Sequence, residues 1–283
     1  MNQIKSVLVT GAAGFIGRAA VTSLEQAGWI VTKAVRTGDQ FRGSGYIILD
    51  LANPATILSM ANEAHFDAIV HLGANVNLLC VDGLEMFAPN TLATGCLAYL
   101  AKQWNAQLIY ASTAIVCGAK KEAIDATPIV AVDTAYAQSK WLGEQLLVAS
   151  YAHHCTLRIG GVFGANGPVH LGVNRAIAEA INGVVPTQIG CGGALRNYIY
   201  VKDVASAIAI ALQERLNGTH LLAGSEVKSV SQMLQEICNT FLQGQQPAIV
   251  NGQEAMNQVI QPSPYLPRTR GFCEALNDIK TAH

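Results

Sequence analysis

A short apolar run near the start of the chain leads directly into a glycine-rich turn. Residues 7–17 read VLVTGAAGFIG, with glycines at positions 11, 14 and 17. The apolar run has the length of a buried strand, and the residues from 15 to 27 have the apolar spacing of a helix that Gly28 ends. The chain therefore begins with a strand that turns tightly into a helix.

Strand and helix signals continue to alternate up to about residue 163. This alternation implies right-handed βαβ units and a mostly parallel sheet. The composition agrees, with 51% hydrophobic and 13% charged residues, because parallel strands covered on both faces are apolar throughout. Further strands are predicted over 29–35, 46–49, 68–72, 107–111 and 156–159, and further helices over 54–63, 90–103, 133–150 and 229–242. Asp133 or Thr134 is the candidate cap of the helix 133–150, and Ser231 is that of the helix 229–242.

The bulk properties argue against several other classes of protein. The net charge is -1 and no basic stripe is present, so we expect no binding to nucleic acid or to an anionic membrane. No uncharged apolar run reaches the roughly 18 residues that cross a bilayer, and the first residues lack a signal-peptide pattern. Seven scattered cysteines contain no CxxC and no zinc-site spacing. We therefore expect free thiols in the cytoplasm and no metal.

The spacing of the three glycines suits the pyrophosphate of a dinucleotide. Glycine allows a tight turn, a close approach of backbone to phosphate, and close packing of helix on strand. The helix N-terminus adds free N–H groups and a partial positive charge. We expect dinucleotide contacts from Gly11, Ala13, Gly14, Phe15, Ile16 and Gly17.

The end of the second strand bears on which dinucleotide binds. NAD sites usually carry an acid about 20 residues after the glycines, where it accepts the ribose hydroxyls. Here the strand ends in Arg36, and a guanidinium suits the 2′-phosphate of NADP. We favour NADP over NAD. The alternative is a solvated Arg36 with NAD bound, and Asp39 is the nearest acid.

Two other strand ends face the same expected cofactor path. Asp50 and Leu51 follow the third strand, where a carboxylate can accept from the adenine amino group. The fourth strand closes with Leu72, Gly73 and Ala74, which are small or apolar. We interpret His71, just before them, as a packed strand residue.

Tyr136 and Lys140 lie four residues apart in the predicted helix 133–150. This spacing puts both side chains on one helical face. We expect the ammonium of Lys140 to stabilise the tyrosinate and so lower the pKa of Tyr136 below about 10. Thr113 follows a strand, and its hydroxyl is placed to bind a substrate carbonyl oxygen while Tyr136 protonates it. Ser112 is the substitute for Thr113.

Together these motifs resemble those of the extended short-chain dehydrogenases/reductases of the NAD-dependent epimerase/dehydratase type. The resemblance covers about residues 4–240, with the motifs in the family's order. They are TGAAGFIG at 10–17, DL at 50–51, HLGA at 71–74, STAIVCG at 112–118, YAQSK at 136–140, LRIGGVFG at 157–164 and RNYIYVKDVA at 196–205.

The resemblance implies a Rossmann-type, doubly wound parallel sheet with a smaller, interleaved C-terminal substrate domain. We expect the NAD(P)-binding domain over residues 1–163, with a sheet that also uses parts of 195–224. Residues 164–283 would mainly bind substrate. The family's usual homodimer would pack through helices near 91–104 and 134–150.

The resemblance also implies roles for single residues. Thr113, Tyr136 and Lys140 would be catalytic, and Lys140 would also grip the nicotinamide ribose. Asn90 would lie near the nicotinamide. Arg196 would contact the substrate, often the diphosphate of a sugar nucleotide, because a guanidinium fork suits phosphate oxygens. A salt bridge from Arg196 to Asp203 is the alternative.

The chain departs from the family's pattern at three places. Gly161 replaces the asparagine of the family's LRxxN motif, and Cys117 replaces a tyrosine. Ala114 and Ile115 follow Thr113, where sugar-nucleotide 4,6-dehydratases carry Asp-Glu. The last departure argues against 4,6-dehydration.

From the sequence we predict an NAD(P)-dependent oxidoreductase or epimerase that acts on a secondary alcohol or ketone, in particular that of a nucleotide sugar. One alternative is an NADP-dependent ketone or aldehyde reductase with a non-sugar substrate, which Arg36 and the missing asparagine favour. Another is a non-catalytic NAD(P)-sensing protein, although such proteins can dispense with the tyrosine and lysine present here.

Overall fold

The computed structural model describes residues 5–36, 45–76, 84–125 and 132–282. Its α-helices are α1 (Phe15–Gln26), α2 (Pro54–Ser59), α3 (Leu84–Phe87), α4 (Ala93–Trp104), α5 (Ala135–Ser150), α6 (Gly172–Ile181), α7 (Val201–Gln213), α8 (Val230–Phe241) and α9 (Phe272–Thr281). Its strands are β1 (Ser6–Thr10), β2 (Ile30–Val35), β3 (Tyr46–Ile48), β4 (Ala68–His71), β5 (Gln107–Thr113), β6 (Ala123–Ile124), β7 (His154–Ile159), β8 (Val162–Phe163), β9 (Thr187–Ile189), β10 (Leu195–Arg196), β11 (Ile199–Tyr200), β12 (Gly218–Leu222), β13 (Lys228–Ser229), β14 (Ala248–Val250) and β15 (Val259–Ile260).

The central sheet has seven strands in the order β3-β2-β1-β4-β5-β7-β12. The pairs β1–β2, β2–β3, β1–β4 and β4–β5 are all parallel. From β1 the chain moves to one edge through β2 and β3, and it then returns to the other side of β1 with β4. Ligands of open parallel sheets bind where the strand order reverses in this way, outside the carboxyl ends of the strands. The predicted Rossmann-type, doubly wound α/β fold is confirmed.

Apolar strands form the centre of this sheet. Val7, Leu8 and Val9 of β1 are fully buried, as is Ile69 of β4. Leu97 of α4 belongs to the same buried cluster as Leu8 and Ile69. The unbroken apolar runs reflect strands covered on both faces.

The described chain separates into two compact units. The first contains the described residues within Met1–Ala119, Pro128–Arg158 and Ala205–His220. The second contains those within Lys120–Thr127, Ile159–Val204 and Leu221–His283. In the second unit, two-stranded sheets are formed by β11 with β8, β10 with β13, β14 with β9, and β15 with β6, and α8 packs against α6 and α9.

The helix predicted over 90–103 begins differently in the structure. A short helix, α3, starts at Leu84, and a π-helical turn over Ala88–Leu92 leads from it into α4. Pro89 lies in this turn and has no N–H to donate to a regular helical bond. Such turns are frequent at functional sites, and Asn90 lies within it.

The N-terminal caps of α5 and α8 can be compared with those predicted from the sequence. Thr134 caps α5 by accepting a hydrogen bond from the N–H of Ala137, as one of the two predicted candidates. The prediction that Ser231 caps the helix 229–242 is wrong. Ser229 is the cap, because Gln232 returns a bond to the Ser229 backbone and completes a capping box. Within the described chain, no helix has the length and apolar character that crossing a bilayer requires.

Candidate active site

The glycine turn lies at the switch point between β1 and β4. Gly11 has φ +67°, and a Cβ there would lie 2.7 Å from the backbone nitrogen of Gly73. A Cβ on Gly17 would collide with the carbonyl of Gly11. Both positions therefore need glycine. Among the described residues no side chain caps α1 at Gly14, and the N–H of Gly14 itself donates to the carbonyl of Gly11 at 2.9 Å. The N–H groups of Phe15, Ile16 and Gly17 form a cradle whose polarity suits a phosphate anion.

The other predicted cofactor residues surround this turn. Leu72, Gly73 and Ala74 follow β4 directly, and the side chain of Leu51 packs onto Gly73. Ala13 is exposed in the turn, and Phe15 and Ile16 are half-buried in the first turn of α1. The structure thus brings the ends of β1, β3 and β4 together.

Asp50 and Arg36, the two residues predicted to contact the adenosine end of the dinucleotide, are both exposed. Asp50 follows β3, and one of its carboxylate oxygens accepts from the N–H of Ala52 at 3.0 Å. Arg36 follows β2 and is the last residue described before position 45. Asp39, the acid named as a competitor of Arg36, lies outside the described residues.

Tyr136 and Lys140 lie on the first two turns of α5. Tyr136 is half-buried, whereas Lys140 is only 1% exposed. Burial raises the pKa of Tyr136 to about 12. Burial also lowers the pKa of Lys140 to about 7, although the nearby charge of Glu144 opposes this shift.

The expectation that Lys140 lowers the pKa of Tyr136 is therefore wrong in direction. Removal from water disfavours the charged form of each group, so it disfavours both tyrosinate and ammonium. Desolvation, and not the charge of Lys140, accounts for the raised pKa of Tyr136.

The two hydroxyl candidates at the end of β5 have different surroundings. Ser112 is buried, and its hydroxyl donates to Oε1 of Glu144 at 2.5 Å. Thr113 is half-buried, and its Oγ1 accepts a long bond of 3.4 Å from the N–H of Ile115. That contact uses an oxygen lone pair and leaves the O–H of Thr113 as a donor. The geometry favours Thr113 over Ser112 as the group that meets a substrate.

Glu144, one turn beyond Lys140, is held by a buried ion pair. Nη2 of Arg158 donates to Oε2 of Glu144 at 2.7 Å, and Nε donates to Oε1 at 3.1 Å. Arg158 also donates to the thiol of Cys117 at 3.6 Å. The arginine of the LRxxG segment and the cysteine that departs from the family's pattern thus meet behind α5.

The side chain of Asn90 connects the chain after β4 with α5. Its Oδ1 accepts from the N–H of Asn75 at 2.7 Å, and its Nδ2 donates to the carbonyl of Asn75 at 2.8 Å. Nδ2 also donates to Oγ of Ser139 at 3.0 Å, and Ser139 donates to the carbonyl of Tyr136. Asn75 and Ser139 were not predicted as site residues. Asn75 lies just after the HLGA segment, and Ser139 lies between the two residues of YAQSK that carry its chemistry, Tyr136 and Lys140.

A second chain of hydrogen bonds passes through His71, which is fully buried in β4 as predicted. Thr94 donates to the carbonyl of Asn90, so Nε2 of His71 must donate to Thr94, at 3.1 Å. Nδ1 of His71 then accepts from Thr10 at 2.7 Å, and Thr10 accepts from the N–H of Gly73 at 3.2 Å. Burial lowers the pKa of His71 well below its usual value, which keeps the ring neutral. These hydrogen bonds connect the glycine turn to α4.

Arg196 belongs to the second compact unit, and its contacts lie within that unit. It is half-buried, and its Nη1 donates to the backbone carbonyls of Leu195 and Met256. The alternative of a salt bridge to Asp203 is wrong, because Asp203 pairs with Arg270 at 3.1 Å.

The same unit explains the departure at Gly161. A Cβ at this position would collide with the ring of Tyr198. Tyr198 is half-buried and burial raises its pKa. The aromatic ring therefore occupies the space beside residue 161, and an asparagine cannot be accommodated there without displacing it.

A polar cleft of about 320 Å³ lies at the opposite, amino-terminal edge of the sheet. Lys5, Asp67 and Gln107 line it at the starts of β1, β4 and β5, together with Trp104 and Arg215. None of the predicted site residues is among those that line it.

A glycine turn at the switch point of a parallel sheet, together with a buried lysine one helical turn after a tyrosine, defines a Rossmann-type protein of the short-chain dehydrogenase/reductase class. The model of the "NAD dependent epimerase/dehydratase family" matches residues 7–224. The chain therefore belongs to the NAD dependent epimerase/dehydratase family, and the resemblance seen in its motifs is confirmed.

Known proteins of several activities are similar to the chain. It is 29% identical over 220 residues to the ADP-L-glycero-D-manno-heptose-6-epimerase of Thiobacillus denitrificans. The matched region covers 70% of this chain and 66% of that enzyme. The chain thus spans just under two thirds of this relative's length.

Two solved structures share the fold. The UDP-glucuronic acid 4-epimerase of Bacillus cereus, in complex with NAD, has a TM-score of 0.81 and 19% identity, with 98% of this chain and 97% of that chain covered. The dTDP-4-dehydrorhamnose reductase of Bacillus anthracis, in complex with NADP, has a TM-score of 0.82 and 16% identity, with 99% and 100% covered. At these identities the likeness concerns the fold alone.

Proposed function

We propose that the chain is an NAD(P)-dependent oxidoreductase or epimerase that acts on a secondary alcohol or ketone of a nucleotide sugar. The observation that carries this proposal is Lys140, a lysine that is 1% exposed and lies one helical turn after Tyr136. Burying an ammonium is costly, and a buried ionisable group with a strongly shifted pKa is typical of a catalytic site. Its position on α5 matches the family's catalytic motif.

The cradle around Gly11 supports the binding of a dinucleotide. The first-turn N–H groups of α1, from Phe15 to Gly17, would hold the pyrophosphate. Leu51, Gly73 and Ala74 would lie along the cofactor, Asp50 would accept from the adenine, and Asn90 and Lys140 would lie at the nicotinamide end. The nicotinamide supplies a carbon that accepts or donates a hydride.

The chain's own residues would then move one proton. Because burial raises the pKa of Tyr136 to about 12, its phenol is protonated at neutral pH and can donate to a ketone oxygen. Thr113 would hold that oxygen through its hydroxyl. Lys140 would bind the ribose and stabilise the tyrosinate left after transfer.

NADP remains our preferred cofactor because Arg36 is exposed at the end of β2, where the 2′-phosphate of NADP would meet it. Relatives with either cofactor have the same fold, so the choice depends on Arg36 and on the neighbouring segment.

Nucleotide sugars are the proposed substrate class because the relatives act on ADP-, UDP- and dTDP-linked sugars. Arg196 would bind the diphosphate, within a mainly substrate-binding region at 164–283 that complements a cofactor-binding region at 1–163. A ketone or aldehyde reductase with a non-sugar substrate is the second candidate, which Gly161 favours because it replaces the family's asparagine.

We also propose a homodimer in the cytoplasm. Large apolar side chains are exposed on the two helices through which the family's dimers pack, including Tyr99 at 49% on α4 and Val148 at 60% on α5. Burial of such side chains is the usual source of a stable interface. Sedimentation of the purified chain at several concentrations would test this, and a monomer at all of them would contradict it.

The function itself is tested by incubating the protein with NADP or NAD and with ADP-, UDP- and dTDP-sugars or simple ketones. Isomer composition and nicotinamide absorbance are followed together. A new sugar isomer without net absorbance change means epimerisation, and net absorbance change means oxidation or reduction. Activity only with simple ketones would establish the second candidate, and binding without any turnover would contradict an enzymatic role.

A further inference from the structure

A second tyrosine, Tyr110, packs directly against Lys140. Tyr110 lies on β5 and is fully buried. Nζ of Lys140 is 4.1 Å from the centroid of the Tyr110 ring, well inside the distance of about 6 Å at which an aromatic face attracts a cation. The ring of His71, on β4, stacks on Tyr110 at 5.4 Å. Tyr110 thus contacts both the buried imidazole and the buried amine.

The hydroxyl of Tyr110 holds the backbone of the same lysine. It donates to the carbonyl of Lys140 at 3.3 Å and to the carbonyl of Asn90 at 3.4 Å. These are long, shared bonds, but they place one phenol against both ends of Lys140. Burial raises the pKa of Tyr110, so the phenol stays neutral and can donate.

Gly143 makes this approach possible. A Cβ on Gly143 would lie 2.6 Å from the hydroxyl oxygen of Tyr110 and 3.0 Å from the carbonyl of Asn90. Any other residue at this position on α5 would push the helix away from the phenol. The chain therefore carries a glycine three residues after Lys140, where the close packing on Tyr110 requires it.

We propose that Tyr110 is the positioning residue for Lys140, whose ammonium it holds against its ring face and whose backbone it fixes through its hydroxyl. This inference rests on the proposed function in so far as it gives Lys140 a role with the cofactor. It adds a residue outside the Tyr136–Lys140 pair and Thr113.

The other charged or titratable groups around Lys140 have different roles. Glu144 raises the pKa of Lys140, but its carboxylate is engaged by Arg158 and Ser112. His71 is neutral, and Tyr136 is protonated at neutral pH. Among the described residues, the ring of Tyr110 is thus an uncharged group in direct contact with Nζ of Lys140 that favours the ammonium, in addition to the charge of Glu144.

The test replaces Tyr110 with phenylalanine and, separately, with a trifluorinated phenylalanine of nearly the same size. Fluorine withdraws electron density from the ring face and weakens its attraction for a cation. The pKa of Lys140 is followed by NMR of lysines labelled at the ε-carbon, with Lys140→Met to assign the signal. We expect Tyr110→Phe to leave the pKa close to that of the wild type, and the fluorinated ring to lower it by about one unit.

Equal pKa values for Lys140 in the phenylalanine and fluorinated proteins would overturn the proposal. Because both rings fill the same space, a difference in folding does not enter the comparison. A matched control places the fluorinated ring at Tyr46, which lies 5.3 Å below Nζ of Lys33. That change should leave the Lys140 signal where it is.

A kinetic measurement separates positioning from a merely structural role. Since an ammonium is lost as pH rises through its pKa, the alkaline limb of turnover should move to lower pH by the same amount in the fluorinated protein. A uniform loss of turnover without a movement of that limb would contradict positioning. The NMR result does not depend on turnover. If the wild type has no turnover but the Lys140 signal still shifts in the fluorinated variant, the proposed function is refuted and the contact with Tyr110 remains established.

Discussion

At the scale of single residues, the site depends on an amine that is removed from water. Lys140 is 1% exposed, and its Nζ lies 4.1 Å from the centroid of the Tyr110 ring. Burial lowers the pKa of Lys140 to about 7. Its charge at neutral pH is therefore set by residues that lie outside the Tyr136–Lys140 pair.

Lys140 should make the stability of the protein depend on pH. Its folded pKa of about 7 lies below its ordinary value of 10.5, so between these values the unfolded chain binds more protons than the folded one. The free energy of unfolding should then rise with pH from about 7 to about 10, by up to roughly 1.4 kcal/mol per unit. Urea unfolding at a series of pH values would show this rise, and Lys140→Met should remove it. Equal slopes in the two proteins would mean that Lys140 is not buried.

Alanine variants of the two hydroxyl residues at the end of β5 should differ in activity and in stability. Thr113→Ala should lower kcat by about 10²-fold, because a donor to the reacting oxygen is lost, and leave the midpoint of unfolding nearly unchanged. Ser112→Ala should destabilise the fold by about 1–3 kcal/mol, since Glu144 loses a buried donor. Kinetics and thermal unfolding of both variants check this. The reverse pattern would make Ser112 the catalytic hydroxyl.

Arg36 should set the preference between the two dinucleotides. Arg36→Ala should weaken NADP binding by about tenfold through loss of a charge-assisted contact with the 2′-phosphate, while NAD binding stays the same. Calorimetric titration with each dinucleotide measures both. Tighter binding of NAD than of NADP by the wild type would reverse the preference.

At the scale of elements, the sequence predicts regular segments better than the features that join them. Glycine 11, 14 and 17 after an apolar run were sufficient to predict the β1–α1 turn. The π-helical turn at Ala88–Leu92 was not predicted, because the contacts that Asn90 makes within it, with Asn75 and Ser139, join residues that are far apart in sequence. The cap of α8 was missed because two serines lie two residues apart and only Ser229 has Gln232 at the reciprocal position.

The packing of α5 on β5 can be tested with one methyl group. Alanine is a better helix former than glycine by about 1 kcal/mol, yet Gly143→Ala should destabilise the protein by about 1–3 kcal/mol because the new Cβ meets the Tyr110 hydroxyl. Gly95→Ala, on α4, is the matched control. Its Cβ would meet only the flexible end of Leu146, at 3.0 Å, so it should be neutral or stabilising. Denaturant unfolding of both variants measures the change in the free energy of unfolding. A Gly143→Ala protein more stable than the wild type would contradict the close contact.

At the scale of the whole molecule, the class of the fold followed from the alternation of strands and helices, but the strand order did not. The order β3-β2-β1-β4-β5-β7-β12 depends on which strands pair across long stretches of chain. Pairs of very short strands, such as β6 with β15, join segments more than 130 residues apart and have no periodicity to detect. For the same reason the sequence predicted little of the second compact unit, where Tyr198 rather than an asparagine fills the space at residue 161.

The central claim is that Tyr136, supported by Lys140, exchanges the proton in a reaction that uses a dinucleotide bound at the glycine turn. Its most direct test compares the wild type with Tyr136→Phe, by titration with NADP or NAD and by rate with the substrate found in the screen. We predict that Tyr136→Phe binds the dinucleotide within about twofold of the wild type and converts substrate about 10²- to 10⁴-fold more slowly. Turnover by Tyr136→Phe at the wild-type rate would contradict the claim.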